Sequence, residues 1–198
     1  MFNVGALGVE NVMKNDFMTK EEIEQSLNFQ MTDKCFLCTY HPVTLSNLSS
    51  EIQVLNLLKA LDDYKDYHII FTYSNSDTNS QIIIKRIQEY VEQNQKRCMF
   101  IPSLGQRRYF STLKYMKAVL GNSSSGIIEV PSFGIPTLDI GDRQKGRIAA
   151  DSVIHCCYST EEIKKGLEKV VSSKANKIDN PYYKEGTCDA ILKAIKTC

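Results

Sequence analysis

The segment GNSSSGIIEVPSFGIPTLDIGDRQKGR, residues 121–147, gathers small hydroxyls, a carboxylate and two arginines. Ser123, Ser124 and Ser125 follow Asn122 at the end of an apolar run and precede a helix-like stretch. A strand, then a serine loop, then a helix sets hydroxyls and backbone N–H groups at a helix N-terminus, where free amides and the dipole favour phosphate. A loop that merely caps the helix and turns the chain is the alternative. Glu129 lies five residues after Ser124. From there a carboxylate accepts from sugar hydroxyls rather than meeting phosphate, as acids do in reading ribose in dinucleotide sites; a solvated surface glutamate is the alternative. Arg143 and Arg147 bring planar donor forks that fit a diphosphate bidentately. They share a face if the segment after Gly141 is helical. Each feature alone is common; together they describe a nucleotide-diphosphate pocket.

Other polar residues fall into the same class of position. His41, one of three histidines, ends an apolar run in TYHPVT, with Pro42 restricting its backbone. A loop histidine there suits a general acid or a phosphate contact, because its pKa lies near neutrality. His68 and His155 sit within or beside strand-like runs and read as structural. Asn75 and Asp77 in SNSDTNS are either ligand contacts or ordinary turn residues. The CxxC of CFLC raises zinc or thiol redox chemistry. It lies in a strand-like run, however, where positions three apart face opposite ways, and no second CxxC or CxxH completes a zinc set. Buried free thiols in a reducing cytosol are the reading adopted for Cys35 and Cys38. The acids are scattered, and no metal or cofactor is implied.

These residues need elements to hold them. CFLCTY (35–40), YHIIFTY (67–73), CMFIPS (98–103), KAVLGN (117–122), PTLDIG (136–141) and SVIHCCY (152–158) have strand length and composition. Between them, 50–64, 80–94, 107–116 and 160–173 carry apolar residues at three- and four-residue spacing. The last is preceded by Ser159 and opens Thr-Glu-Glu, a hydroxyl cap before first-turn acids. Alternating strands and helices predict an α/β, Rossmann-like, doubly wound parallel sheet covered on both faces. Ligands of such sheets bind outside the carboxyl ends of the strands, where the strand order reverses. The loops that follow the strands are HPVT, SNSDTNS, SLGQ, NSSSG and GDRQKGR, and they hold nearly all the unusual polar chemistry. Residues 1–32 read as a connector and a helix capped at Thr19, 33–175 as the nucleotide-binding domain, and 176–198 as a closing loop and helix.

The bulk numbers close off other classes. The chain has 198 residues, 42% hydrophobic and 24% charged, as in an ordinary globular domain. A net charge of +1 offers no global field for nucleic acid or an anionic membrane. No apolar run approaches the ~20 residues of a membrane span. No GxGxxG follows any strand, which sets a dinucleotide oxidoreductase aside. A cytoplasmic setting is expected.

HPVT, SNSDTNS, GNSSSGIIEVPSFG and GDRQKGR, in this order and spacing, resemble the UDP-N-acetylglucosamine 2-epimerases, specifically the hydrolysing branch of sialic-acid and related nonulosonate pathways. The likeness runs from about Phe2 to the last helix. Non-hydrolysing relatives carry Arg-Arg-Glu-Asn after the histidine and Asp-Ser-Gly-Gly where this chain has Asn-Ser-Ser-Ser. The resemblance implies the C-terminal half of a glycosyltransferase-B-like two-domain fold, in which this half holds most of the UDP. It implies His41 near the diphosphate, Asn75 on the nucleotide, Ser123 and Ser124 on the phosphates and Glu129 on the ribose. Arg143 is implied in the active-site cleft, and the backbone around Ile101 is implied against the uracil. Asn122, Ser125, Asp77 and Arg147 are further candidate contacts. Asn180-Pro181-Tyr182 matches the family pattern, whereas Tyr183-Lys184-Glu185 departs from it. The implied reaction is elimination of UDP to a 2-acetamidoglucal, then hydration to N-acetylmannosamine or a 2,4-diacetamido relative. The family's acid/base carboxylates belong to a first domain, so this chain is expected to bind UDP or a UDP-sugar without turnover. The resemblance leaves homo-oligomerisation of the full-length enzyme open. A glycosyltransferase nucleotide-binding domain and a non-catalytic nucleotide-binding module are the rival readings.

Overall fold

Successive residues of the central strands are buried on both sides, and that alternation divides the core in two. In a computed structural model, which describes residues 3–43, 48–73, 79–173 and 179–197, six strands form one parallel sheet. They are β1 (Cys35–Thr39), β2 (His68–Thr72), β3 (Cys98–Ile101), β4 (Ala118–Gly121), β5 (Thr137–Ile140) and β6 (Val153–Cys156). Their spatial order is β3-β2-β1-β4-β5-β6, every pairing parallel. The chain therefore winds outward from β1 to β3 and returns to lay β4 beside β1. That junction is where a doubly wound sheet leaves its crevice.

Phe36, Cys38, Ile69, Phe71 and Leu120 face one layer, which is closed by α3 (Ser50–Leu61), α4 (Ser80–Gln93) and α7 (Thr160–Ser172) through Leu57, Ile83 and Leu167. Cys35, Leu37, Ile70 and Val119 face the other, closed by α2 (Lys20–Leu27), α5 (Gly105–Leu113) and the 3-10 turn Val130–Phe133. Cys35 and Cys38 thus point to opposite faces, as the strand reading of CFLC requires. Both thiols are free and buried. Burial pushes the Cys35 thiol up to about 12 and raises that of Cys38 further. Neither is a thiolate ready for metal or redox work.

The caps act where the local sequence puts them. Thr19 Oγ1 accepts from Glu22 N at 3.2 Å and Thr19 N donates to Glu22 Oε2 at 2.8 Å, a complete capping box on α2. Ser159 Oγ accepts from Glu162 N at 3.3 Å at the start of α7. Two elements differ from the sequence reading. The connector contains a helix, α1 (Leu7–Met13), with no side-chain cap to announce it; its Val12 packs in the same apolar layer as α2. The segment after Gly141 is not helical: Lys145 N donates to Asp142 O and Arg147 N to Gln144 O, a pair of turns. Arg143 and Arg147 therefore do not share a helix face. The last helix, α8 (Thr187–Thr197), lies beside α1, and Thr187 Oγ1 donates to Val4 O at 2.8 Å. No helix among the described residues is long and apolar enough to cross a membrane.

Candidate functional site

A cleft of about 510 Å³ opens at the carboxyl ends of the strands and takes in the loops after β1, β3 and β4. That volume suits a small-molecule ligand. His41, Ser123, Ser124, Ser125 and Glu129 all line it. Sequence reasoning put these five in one site although up to 88 residues separate them along the chain (129 − 41).

The β1–β4 junction is built by Gly121 and Asn122. Gly121 takes φ +123°, and a Cβ there would stand 1.9 Å from the Thr39 carbonyl oxygen, so only glycine lets the strand ends meet. Asn122, wholly buried, clamps the neighbouring loop: His41 N donates to its Oδ1 at 2.7 Å and its Nδ2 donates to His41 O at 2.9 Å. Its own carbonyl accepts from Arg143 Nη1 at 3.2 Å and Gln144 Nε2 at 2.8 Å. Asn122 was a candidate ligand contact. Its side chain is instead spent on holding His41, and its backbone on holding the 141–147 turns. Arg143 reaches the junction in this way, half-buried, but neither it nor the exposed Arg147 is among the residues that line the cleft.

The serine loop departs from the expected helix N-terminus. α6 (Ser125–Ile128) is one turn long, because Pro131 follows it and the chain tightens into the 3-10 turn. The amides of Ser125 to Glu129 donate inside this turn, to Ser123 Oγ and the carbonyls of Ser123, Ser124 and Ser125. One helical turn offers an anion little dipole, and the polar groups this loop turns to the cleft are those of Ser123, Ser124 and Ser125. Among the described residues nothing bonds to the Ser124 hydroxyl.

Glu129 forms the inner wall. Burial lifts its carboxyl above the usual range, and a hydrogen bond from Ser125 opposes that rise. Its Oε2 is buried with no hydrogen-bond partner among the described residues. Asn180 braces this wall from behind, donating through Nδ2 to Ile128 O at 2.8 Å and to Ser132 Oγ at 2.7 Å.

The remaining sequence candidates separate. Ile101 itself packs in the apolar layer, and it is Pro102 to Gln106 that reach the cleft. Asn75 and Asp77 lie outside the described residues. His68 and His155 are engaged structurally, His68 Nδ1 donating to Gln30 O at 2.7 Å and His155 Nδ1 lying 2.8 Å from Asp139 Oδ2. Sequence reasoning missed Tyr109, which lines the cleft with its hydroxyl 2.5 Å from Ser125 Oγ. It also missed Gln144, 2% exposed with its Oε1 unpaired. The apolar spacing of α5 marks Tyr109 only as a helix-face residue. Nothing in GDRQKGR separates a buried glutamine from an exposed lysine.

Comparison with known proteins bears on the family and the fold. A profile of the family described as UDP-N-acetylglucosamine 2-epimerase matches residues 1–196. The chain is 35% identical over 174 residues to the GDP/UDP-N,N'-diacetylbacillosamine 2-epimerase (hydrolyzing) of Campylobacter jejuni, covering 88% of this chain and 45% of that protein. It is 36% identical over 202 residues to the polysialic acid biosynthesis protein P7 of Escherichia coli, covering 99% of this chain and 50% of that protein. Among solved structures, the Methanocaldococcus jannaschii UDP-GlcNAc 2-epimerase in complex with UDP-GlcNAc and UDP superposes with a TM-score of 0.69 at 17% identity, over all of this chain and 55% of that one. That likeness shows the fold. The chain spans about half the length of the curated relatives it matches.

Proposed function

The chain belongs to the UDP-N-acetylglucosamine 2-epimerase family, and on that premise we propose that it is the nucleotide-holding half of a hydrolysing UDP-sugar 2-epimerase. The observation that carries this reading is the convergence of His41, the serine loop and the orphaned Glu129 oxygen in one cleft at the β1–β4 junction. Serine hydroxyls and Arg143 hold the diphosphate, and Glu129 accepts from the ribose. The substrate is a UDP-sugar with an acetamido group at C2, and the hydrolysing relatives favour a 2,4-diacetamido sugar among these. The likeness to a polysialic acid biosynthesis protein supports a product destined for a nonulosonic acid. Buried free thiols and a nucleotide-sugar ligand support a cytoplasmic setting.

In this reaction the C2 proton is removed and the C1–O bond to UDP breaks, leaving a 2-acetamidoglucal. Water then adds across the double bond to give the 2-epimer and free UDP. The groups in this chain act on the departing diphosphate. Preformed hydroxyl and guanidinium donors stabilise charge as it develops there, and His41, held by its backbone to Asn122, donates a proton to the leaving oxygen. The acids that move the C2 proton belong to a first domain, so this half binds UDP without turnover.

Calorimetric titration of UDP into the 198-residue chain tests the reading, with NAD as control. Saturable UDP binding is expected, weakened about tenfold or more by Glu129→Ala or Arg143→Ala, the scale of a lost charge-assisted hydrogen bond. Equal affinity for NAD, or indifference to both substitutions, would sink it.

A further inference from the structure

His41 is set in the cleft by residues that lie outside it. Both of its backbone groups go to one side chain: its N–H donates to Asn122 Oδ1 at 2.7 Å and its carbonyl accepts from Asn122 Nδ2 at 2.9 Å. Hydrogen bonds are directional, so two of them to one planar amide tie the place of His41 to that of Asn122. The Asn122 carbonyl is in turn held from the loop after β5, by Gln144 Nε2 at 2.8 Å and by Arg143 Nη1 at 3.2 Å. The two donors differ. Arg143 is half-buried, with a charged fork suited to an anion, whereas Gln144 is 2% exposed. Gln144 Oε1 has no partner among the described residues, and exchanging the ends of the amide would set oxygen against oxygen at Asn122. Gln144 thus has one productive orientation, with its donor on the junction.

The loop that carries Gln144 is itself pinned. Gly141 takes φ +83° and lies against the Tyr158 ring, where a Cβ would stand 2.0 Å from Tyr158 Cε1. The Tyr158 hydroxyl accepts from Asp142 N at 2.9 Å, and Gly141 N donates to Cys156 O at 2.8 Å. Behind the ring, the Tyr158 carbonyl accepts from Asn56 Nδ2 of α3 at 3.0 Å, and Asn56 Oδ1 accepts from Thr160 Oγ1 of α7 at 3.3 Å. A series of hydrogen bonds, joined by one short turn, therefore runs from α3 and α7 through Tyr158 and Gln144 to Asn122 and His41.

We propose that Tyr158 and Gln144 are positioning residues: Tyr158 fixes the turn after β5, and Gln144 carries that fix through Asn122 to His41 and so to the phosphate side of the cleft. The assignment to phosphate rests on the nucleotide reading above; the brace itself does not. Gln144 also keeps the Asn122 carbonyl paired when Arg143 turns to a diphosphate, so the arginine moves without releasing His41.

The test reads the histidine ring signals of the ligand-free chain by nuclear magnetic resonance, assigned among the three histidines by single substitution, together with the affinities of UDP and uridine. Gln144→Met keeps the length of the side chain and removes the donor. It should move the His41 signal, leave that of His68 on β2 in place, and cut the preference for UDP over uridine about fivefold, the worth of one hydrogen bond. Tyr158→Phe, which leaves the ring on Gly141 and removes only the hydroxyl, should shift His41 the same way by less. A His41 signal unmoved in a folded Gln144→Met overturns the brace. A general loosening of the cleft would weaken both ligands alike, so a moved signal with an unchanged ratio overturns the bearing on phosphate. If the parent chain binds no UDP, the nucleotide reading fails, and the His41 signal still decides the brace. Should Gln144→Met lose its cooperative melt, Tyr158→Phe decides in its place.

Discussion

Two clusters at opposite ends of the sheet, around Arg97 and around Glu129, treat buried polar groups in opposite ways. At the amino end Arg97 is 8% exposed and its donors are engaged on every side. Nε donates to Asn94 Oδ1 at 3.1 Å, Nη1 to the carbonyls of Tyr64 and Tyr67 at 3.3 and 3.5 Å, and Nη2 to the Tyr90 hydroxyl at 2.7 Å. Tyr90 passes the chain on to Asp62 at 3.1 Å. At the carboxyl end Glu129 Oε2 and Gln144 Oε1 are buried without partners among the described residues. Leaving a buried polar atom unpaired costs about 1–3 kcal/mol. Around Arg97 that cost is absent, and its cluster staples α3 and α4 to the sheet. The carboxyl end carries that cost beside the cleft, at Glu129 and Gln144.

The largest effect expected from this contrast is at the amino end. Arg97→Met removes the donors of four acceptors at once and should cost about 3 kcal/mol of stability. Chemical denaturation reads this, while the UDP affinity of the folded protein stays as it was. Weakened UDP binding with little loss of stability would break the comparison. Asn122→Asp sharpens it from within the cleft, since the isostere turns an acceptor toward His41 O. Stability should fall by about 2 kcal/mol, and UDP binding should fall with it as His41 and Arg143 lose their register. If the melt drops and UDP affinity holds, Asn122 belongs with Arg97.

The smallest stability change is at Glu129, and its sign is reversed. Burial holds the folded-state pKa above the unfolded one, so the folded protein binds the proton more tightly. Glu129 therefore makes stability fall as pH rises from its unfolded value through its folded one. Glu129→Gln should raise the melting temperature slightly at neutral pH and flatten that slope, while UDP binding weakens about tenfold. Asp139, also raised by burial, adds a slope of the same sign. Melts of parent and variant across the acid range isolate the Glu129 share by difference. A parent slope that survives in Glu129→Gln would remove this residue from the contrast.

Much of the architecture was legible because its signals are local. The continuous apolar run of CFLCT, the Thr19 capping box and the Ser159 cap each depend on residues within four positions of one another. The cleft lining at His41, Ser123, Ser124, Ser125 and Glu129 was legible too, since strand-end loops carry ligands in parallel sheets. Local signals also misled. Three serines before apolar residues read as the start of a helix, but Pro131 allows one turn. Arg143 and Arg147 were paired by a helical spacing that the turns at Asp142 and Gln144 do not provide. α1 went unseen because Ala6, its N-cap, offers no side-chain bond.

By itself the sequence determined a parallel α/β sheet, the loops that carry its chemistry, and a family whose motifs stand in order. Which polar atoms are spent and which are held open was decided only by the tertiary structure. Asn122 meets His41 across 81 positions, Tyr109 meets Ser125 across 16, and Gly8 of α1 comes to rest against Glu129. A hydrogen bond has a length and a direction but no sequence separation. Whether Asn122 clamps a loop or contacts a ligand therefore depends on what the folded chain brings within 3 Å of it.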